Sequence, residues 1–275
     1  MLPKSIVDEI ILKIEPDDEP FLVGGQATNF WAERYYAKDP GLAAYSPFSS
    51  KDIDFFGSFE AARKLANALH GTIRRPTSDD HSPQTAVINA VVQGTKVEID
   101  FLWNIMGPPK DDLASKTVKV EYPLIVDGVA GSVTLKIMHP LHCRQSRASN
   151  IVSLGRKDDV SKRQLNAAVL VLRAHISEVL ENAASSENRS GIKAAQAMLG
   201  DLTHYLTKDM VGVQVHKKTA INPIEIVKAF RDDERLDQRF RDNQIHNMIE
   251  QITARQARDR VSMINFLQNQ GPGLS

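Results

Sequence analysis

Phe21-Leu22-Val23-Gly24-Gly25 and Lys51-Asp52-Ile53-Asp54-Phe55 are the two stretches on which the fold turns. In the first, three apolar residues stop at a pair of glycines, the pattern of a buried strand, and Gln26 to Tyr36 then reads as a helix. Glycines at a strand-to-helix step let the backbone come close to a ligand, and a helix N-terminus favours phosphate. In the second, polar and apolar residues alternate with the period of a strand. Asp52 and Asp54 therefore project from one face, and Ile53 and Phe55 from the other. Two carboxylates that close repel one another unless something positive sits between them. A divalent cation does that, and Mg²⁺ prefers carboxylate oxygens. Lys96-Val97-Glu98-Ile99-Asp100-Phe101 repeats the alternation, with Glu98 and Asp100 sharing a face. If the two acidic strands are neighbours, three carboxylates hold two metals roughly 4 Å apart, the spacing that clamps the attacking and leaving oxygens of a phosphoryl displacement. Taken singly, each motif also has a plain reading: solvent faces of half-buried strands, or a tight turn with no ligand.

Outward from these motifs the chain divides in character. Ile6, Ile10, Ile11 and Ile14 recur at helical spacing, which predicts a first helix ending before Pro16. Residues 38–50, rich in Pro, Gly and Ser, read as a loop, and Phe59, Ala62, Leu65, Ala66 and Leu69 form the stripe of a helix. Residues 74–83 read as another loop. Thr85–Val92 and Thr95–Trp103 predict a hairpin about Gln93-Gly94. Val118–Val126 and Val129–Met138 predict a second hairpin through Asp127-Gly128. After His139-Pro140 the pattern becomes helical, over 160–182, 190–207 and two or three helices within 223–269, with a frayed tail at 270–275. An α+β domain over 1–140 and a helical domain over 141–275 follow, with the boundary near Pro140.

Composition bounds the function classes. With 42% hydrophobic and 25% charged residues, the 275-residue chain has the make-up of a soluble globular protein. No apolar run approaches the length of a membrane span, and the acidic, amphipathic opening lacks the basic start of a signal peptide. The single cysteine, Cys143, allows no internal disulfide and no cysteine metal cluster. Together these predict a cytoplasmic protein with no membrane partner. Net charge is zero, but residues 1–140 hold 14 Lys/Arg against 19 Asp/Glu, a balance of −5, and residues 141–275 hold 20 against 15, a balance of +5. Such a split suits metals on one side and phosphates on the other, although two solvated surfaces would produce it too.

The order of the motifs (apolar strand, Gly-Gly, helix, Asp-x-Asp strand, further acidic strand) resembles the nucleotidyltransferase superfamily that includes DNA polymerase β, the tRNA CCA-adding enzymes and the aminoglycoside and lincosamide nucleotidyltransferases. The resemblance implies a mixed sheet with flanking helices of the polymerase β type over 1–140. It also implies a glycine turn, Gly24 and Gly25, that holds the triphosphate of an NTP, and two Mg²⁺ ions bound by Asp52 and Asp54. Asp100, with Glu98 in reserve, becomes the third acid, which binds one metal and helps deprotonate the attacking hydroxyl. Two departures stand out: Gln26 follows the glycine pair where relatives often carry Ser or Thr, leaving Thr28 as the nearest hydroxyl, and the interval from Gly25 to Asp52 is long.

Residues 141–163 hold six Lys/Arg and two Asp. Arg144 and Arg147 are one helical turn apart, able to share a face and grip phosphate, while the plain reading is a solvated helix start. Gln145-Ser146-Arg147 followed by Arg156-Lys157-Asp158-Asp159 resembles a segment of the AbiEii-type toxins and their MenT relatives, with Arg147 where those proteins carry lysine. Lys157 joins Arg144 and Arg147 as an expected nucleotide contact. This branch implies tRNA as acceptor and an antitoxin protein as partner. For His139, His142 and Cys143 structural roles are expected, and for Trp31 and Trp103 core packing ahead of base stacking. Residues 228–260 read as a salt-bridged helical surface first and an RNA-binding surface second. The predicted function is NMP transfer from an NTP to an acceptor hydroxyl by two metals, the alternative a non-catalytic nucleotide-sensing or partner-binding protein of the same fold.

Overall fold

The computed structural model describes residues 2–14, 20–77, 82–126 and 129–269, with backbone alone at 126 and 260–269. The Asp127-Gly128 turn, Pro16, residues 78–81 of the 74–83 loop and the tail 270–275 lie outside the described residues. Helix α1 (Lys4–Leu12) precedes strand β1 (Phe21–Val23), which passes directly into α2 (Gly24–Arg34). A short 3-10 helix at Pro40–Tyr45 occupies part of the 38–50 segment, which was expected to be all loop. Its Asp39 cap accepts from Gly41 N and pairs with Arg173 at 2.6 Å. Then come β2 (Ile53–Phe56), α3 (Phe59–Ala68), β3 (Thr72–Arg74), β4 (Gln84–Val92), β5 (Thr95–Leu102), α4 (Lys110–Ser115), β6 (Val118–Val126) and β7 (Val129–Ile137). The helical part comprises α5 (Pro140–Val152), α6 (Asp159–Ser185), α7 (Arg189–Lys208), α8 (Met210–Gln214), α9 (Ile224–Ala229), a π-helical stretch at Phe240–Ile245 and α10 (His246–Asn269).

The seven strands form one mixed sheet in the order β3-β4-β5-β2-β1-β7-β6. The fold is therefore mixed α+β, with helices flanking the sheet and a helical C-terminal part. β2 runs parallel to β5 and antiparallel to β1, while β1 runs parallel to β7. Alternation sorts the central strands as their sequences require. Leu22, Ile53, Phe55, Ile88, Ile99 and Phe101 join one apolar core with α1, α2 and α3. The β4–β5 hairpin turns at Gln93 and Gly94, both at positive φ, which suits a two-residue hairpin turn. No helix among the described residues is long and apolar enough to cross a membrane.

A second apolar cluster lies among the C-terminal helices. Helices α5 and α6 serve both clusters: Cys143, Ala167, Leu170 and Val171 pack with the sheet, and Leu141, Ala148, Leu165 and Leu172 pack with the helices. That double duty explains an unexpected feature of α5. Its residues from Pro140 to Ile151 are all buried, including Arg144, Arg147 and His142, so these two arginines do not lie on a solvated helix start, whereas Arg156, Lys157 and Lys162 further along the basic stretch are exposed.

Candidate active site

The carboxylates converge through strand register. Asp54 on β2 stands directly beside Asp100 on β5, and Val23 on β1 flanks Asp54 from the other side. Val87 then flanks Asp100, and Arg74 flanks Val87. One row of residues thus crosses five strands on the face opposite Ile53, Phe55, Ile99 and Phe101. Asp52 lies just before β2 rather than within it, exposed on the approach to the row. Register also separates the two candidate third acids: Asp100 is alongside Asp54, whereas exposed Glu98 sits two residues back.

Gly24 is built around this cluster. Its φ of +67° is strained for L side chains, and a Cβ there would collide with Oδ2 of Asp54. Any other residue would push the turn and the acid apart. A Cβ on Gly25 would lie 2.8 Å from both Ser50 Oγ and Gln164 Nε2. The turn is therefore packed closely against a hydroxyl from the end of the long 38–50 segment and an amide from α6. Thr28, the nearest hydroxyl in sequence, is buried and donates back to the Gly24 carbonyl at 3.3 Å. Sequence spacing offered no route to Ser50, which lies 25 residues past Gly25.

Arg147 backs the cluster. It is buried, donates from Nη1 to Gln164 Oε1 at 3.1 Å and from Nη2 to Ser146 Oγ at 3.3 Å, and leaves Nε with no partner among the described residues. Burial lowers its pKa, and the Asp54 charge opposes that fall. Reciprocally, burial pushes the Asp54 carboxyl up to about 6; Arg147 and then Arg156 pull it down, while Asp100 and Asp52 push it further up. The Asp100 carboxyl is raised by burial and by Glu98, against a 2.6 Å hydrogen bond from Gln84 Nε2.

Not every predicted residue joins this set. Arg144 is fully buried, but its guanidinium lies over the Tyr205 ring at 5.2 Å, toward the helical cluster. Lys157 is exposed, and it is its neighbour Arg156 that joins Arg147 among the cations whose charge reaches Asp54. Asp158 caps α6 through 2.8 Å hydrogen bonds from Ser161 N and Oγ. His139 caps α5, Cys143 is buried at the Met138 carbonyl, and Trp31 donates to that same carbonyl from inside the core. Trp103 departs from the core expectation: it is 48% exposed, with Lys110 Nζ 4.7 Å from its ring centre.

Among the described residues, no group of three or more His, Cys, Asp or Glu side chains stands close enough together to enclose a metal ion. The donor chemistry nonetheless suits a hard divalent cation: an all-oxygen set on adjacent strands, with the Asp54 carboxyl raised in part by Asp100 and Asp52, and the Asp100 carboxyl in part by Glu98 and Asp52.

No family model, no curated protein and no solved structure matches the chain.

Proposed function

We propose that the chain is a metal-dependent nucleotidyltransferase, which moves a nucleoside monophosphate from an NTP to an acceptor hydroxyl. The observation that carries this reading is the packing of Gly24 against the Asp54 carboxylate, with Asp100 in register beside it and Arg147 buried behind it. A glycine turn at a helix start packed against paired acids supports phosphate chemistry at that point.

The Gly24–Gly25 turn opens α2, where backbone N–H groups and the helix dipole favour a triphosphate, and Arg147 supplies a fixed positive charge. Asp52, Asp54 and Asp100 would hold two Mg²⁺ ions, which neutralise charge building on the α-phosphate and activate the acceptor. Asp100 accepts the proton of the acceptor hydroxyl as its oxygen bonds to the α-phosphorus. The bond from that phosphorus to the bridging oxygen breaks, and pyrophosphate leaves with the electron pair. Among acceptors we favour tRNA, with an antitoxin as regulatory partner; this rests on the likeness of residues 145–159 to the toxin segment alone.

Incubation of the purified chain with each α-labelled NTP, Mg²⁺ and total RNA tests the proposal, with the protein itself as alternative acceptor. Label is expected on RNA with the wild type and not with Asp54→Asn, a loss of roughly a thousandfold or more. Equal transfer by Asp54→Asn would overturn the assignment. Nucleotide affinity indifferent to Mg²⁺ would favour a non-catalytic nucleotide-sensing protein instead.

A further inference from the structure

We infer that Gln84 is a positioning residue for Asp100, placed on the carboxylate face by a bulge in β4; the inference rests on the two-metal reading of the same site. Along the β4–β5 ladder Val87 pairs with Asp100 and Ala86 with Phe101, but the next pair is Gln84 with Leu102. Thr85 is the extra residue. In an unbroken ladder the period of two would put Thr85 opposite Leu102, on the carboxylate side, and turn Gln84 to the core side. The bulge reverses this and leaves the Thr85 hydroxyl buried without a partner among the described residues. Bulges re-aim side chains in this way, and the ladder resumes beyond it, since Trp103 N donates to the Pro83 carbonyl at 3.0 Å.

The re-aimed amide makes one contact with a defined consequence. Gln84 Nε2 donates to Asp100 Oδ1 at 2.6 Å. An amide N–H offers only a donor, so Oδ1 is held as an acceptor and Asp100 is held in one rotamer. Oδ2 remains for a cation shared with Asp54. Glu98 lies on the same face but is exposed, so the bulge singles out one of two nearby acids. Supporting hydrogen bonds of this kind hold a metal-binding carboxylate in place, and their loss weakens metal affinity by about 10–100-fold.

The test is Mn²⁺ binding to the full chain, read from the electron paramagnetic signal of free Mn²⁺ with a non-hydrolysable NTP analogue present. Gln84→Met keeps the length and removes the donor, and Gln84→Asn keeps the amide but withdraws it by one methylene. Both are expected to weaken Mn²⁺ binding about tenfold, with the thermal midpoint and the KM for NTP at saturating metal unchanged. In an Asp100→Asn background, Gln84→Met should have no further effect. Wild-type Mn²⁺ affinity in both Gln84 variants, with Asp100→Asn impaired, would overturn the positioning role and leave the two-metal reading standing. Undiminished Mn²⁺ binding in Asp54→Asn and Asp100→Asn would overturn the two-metal reading, and this inference with it.

Discussion

Arg144 and Arg147 lie one turn apart on α5, both are buried, and they face opposite surroundings. Arg147 donates to the Gln164 amide and feels the charge of Asp54, the acid against which the Gly24 turn packs. Arg144 meets the face of an aromatic ring, and its three guanidinium nitrogens find no hydrogen-bond partner among the described residues. Burial lowers the pKa of both, that of Arg144 to about 10. The contrast shows that burial alone does not mark a buried cation as functional; what faces the cation does. A charge near an acid cluster and a glycine turn fits the proposed phosphate contact. One held over an aromatic ring contributes packing and a cation–π contact.

The largest effect expected from this contrast is on transfer. Arg147→Met should lower kcat/KM by about a hundredfold, the usual scale for loss of a fixed charge at a reacting phosphoryl group. Where Asp54 is ionised, removing the Arg147 charge also removes a cation that repels Mg²⁺ from that carboxylate, so above pH 7 the variant should need less Mg²⁺ for half-maximal activity. Steady-state kinetics across a Mg²⁺ series checks both effects. If Arg147→Met and Arg144→Met were equally impaired, the distinction between the two arginines would collapse.

A second contrast along α5 is smaller in effect and concerns pH. Burial lowers the His142 pKa to about 4 from an ordinary 6.5, with Asp112 opposing the fall. Its folded pKa lies below the unfolded one, so its contribution is present above pH 6.5 and is lost as pH falls toward 4. The loss is on the order of 3 kcal/mol across the window. Asp54 has the opposite sign. Its folded pKa of about 6 lies above the unfolded 3.8, so its contribution is present below 3.8 and is lost as pH rises through 6. Melting midpoints from pH 4 to 7 without divalent metal should separate the two sites. Relative to wild type, His142→Gln should gain on acidification and Asp54→Asn should gain on alkalinisation. Parallel difference curves would show that the two sites do not titrate as their surroundings dictate.

These contrasts also show where the sequence is readable. The β1–Gly24–α2 step and the facing of Asp54 and Asp100 follow from a period of two and from glycine's backbone freedom, both local properties. Gln84 is hidden because the bulge at Thr85 breaks the period on which a sequence reading depends. Strand β3 is hidden because its three residues show no buried face. Ser50 reaches Gly25 only through the path of the 38–50 segment, which periodicity does not encode. The burial of α5 is hidden for another reason. A helix wedged between two cores needs few hydrophobic residues of its own, since its neighbours supply the apolar contacts, and its arginines and histidines read as surface.

The smallest effect on activity is expected at Arg144. A buried ion is costly to desolvate, and even buried ion pairs replaced by apolar residues of similar volume often leave a protein equally stable or more stable by about 1–4 kcal/mol. Against that stands the cation–π contact with Tyr205, roughly 2 kcal/mol when desolvated. Methionine keeps the length and the polarisable contact with the ring, and so recovers part of that sum. Arg144→Met should therefore melt at or above the wild-type temperature, with kcat/KM within about threefold of wild type. Arg144→Ala should melt lower, because it leaves a cavity beside Tyr205 as well as removing the charge. If Arg144→Met instead loses transfer while keeping its melting temperature, then Arg144 acts on the phosphate side after all. The Tyr205 contact would in that case be a resting position of the guanidinium.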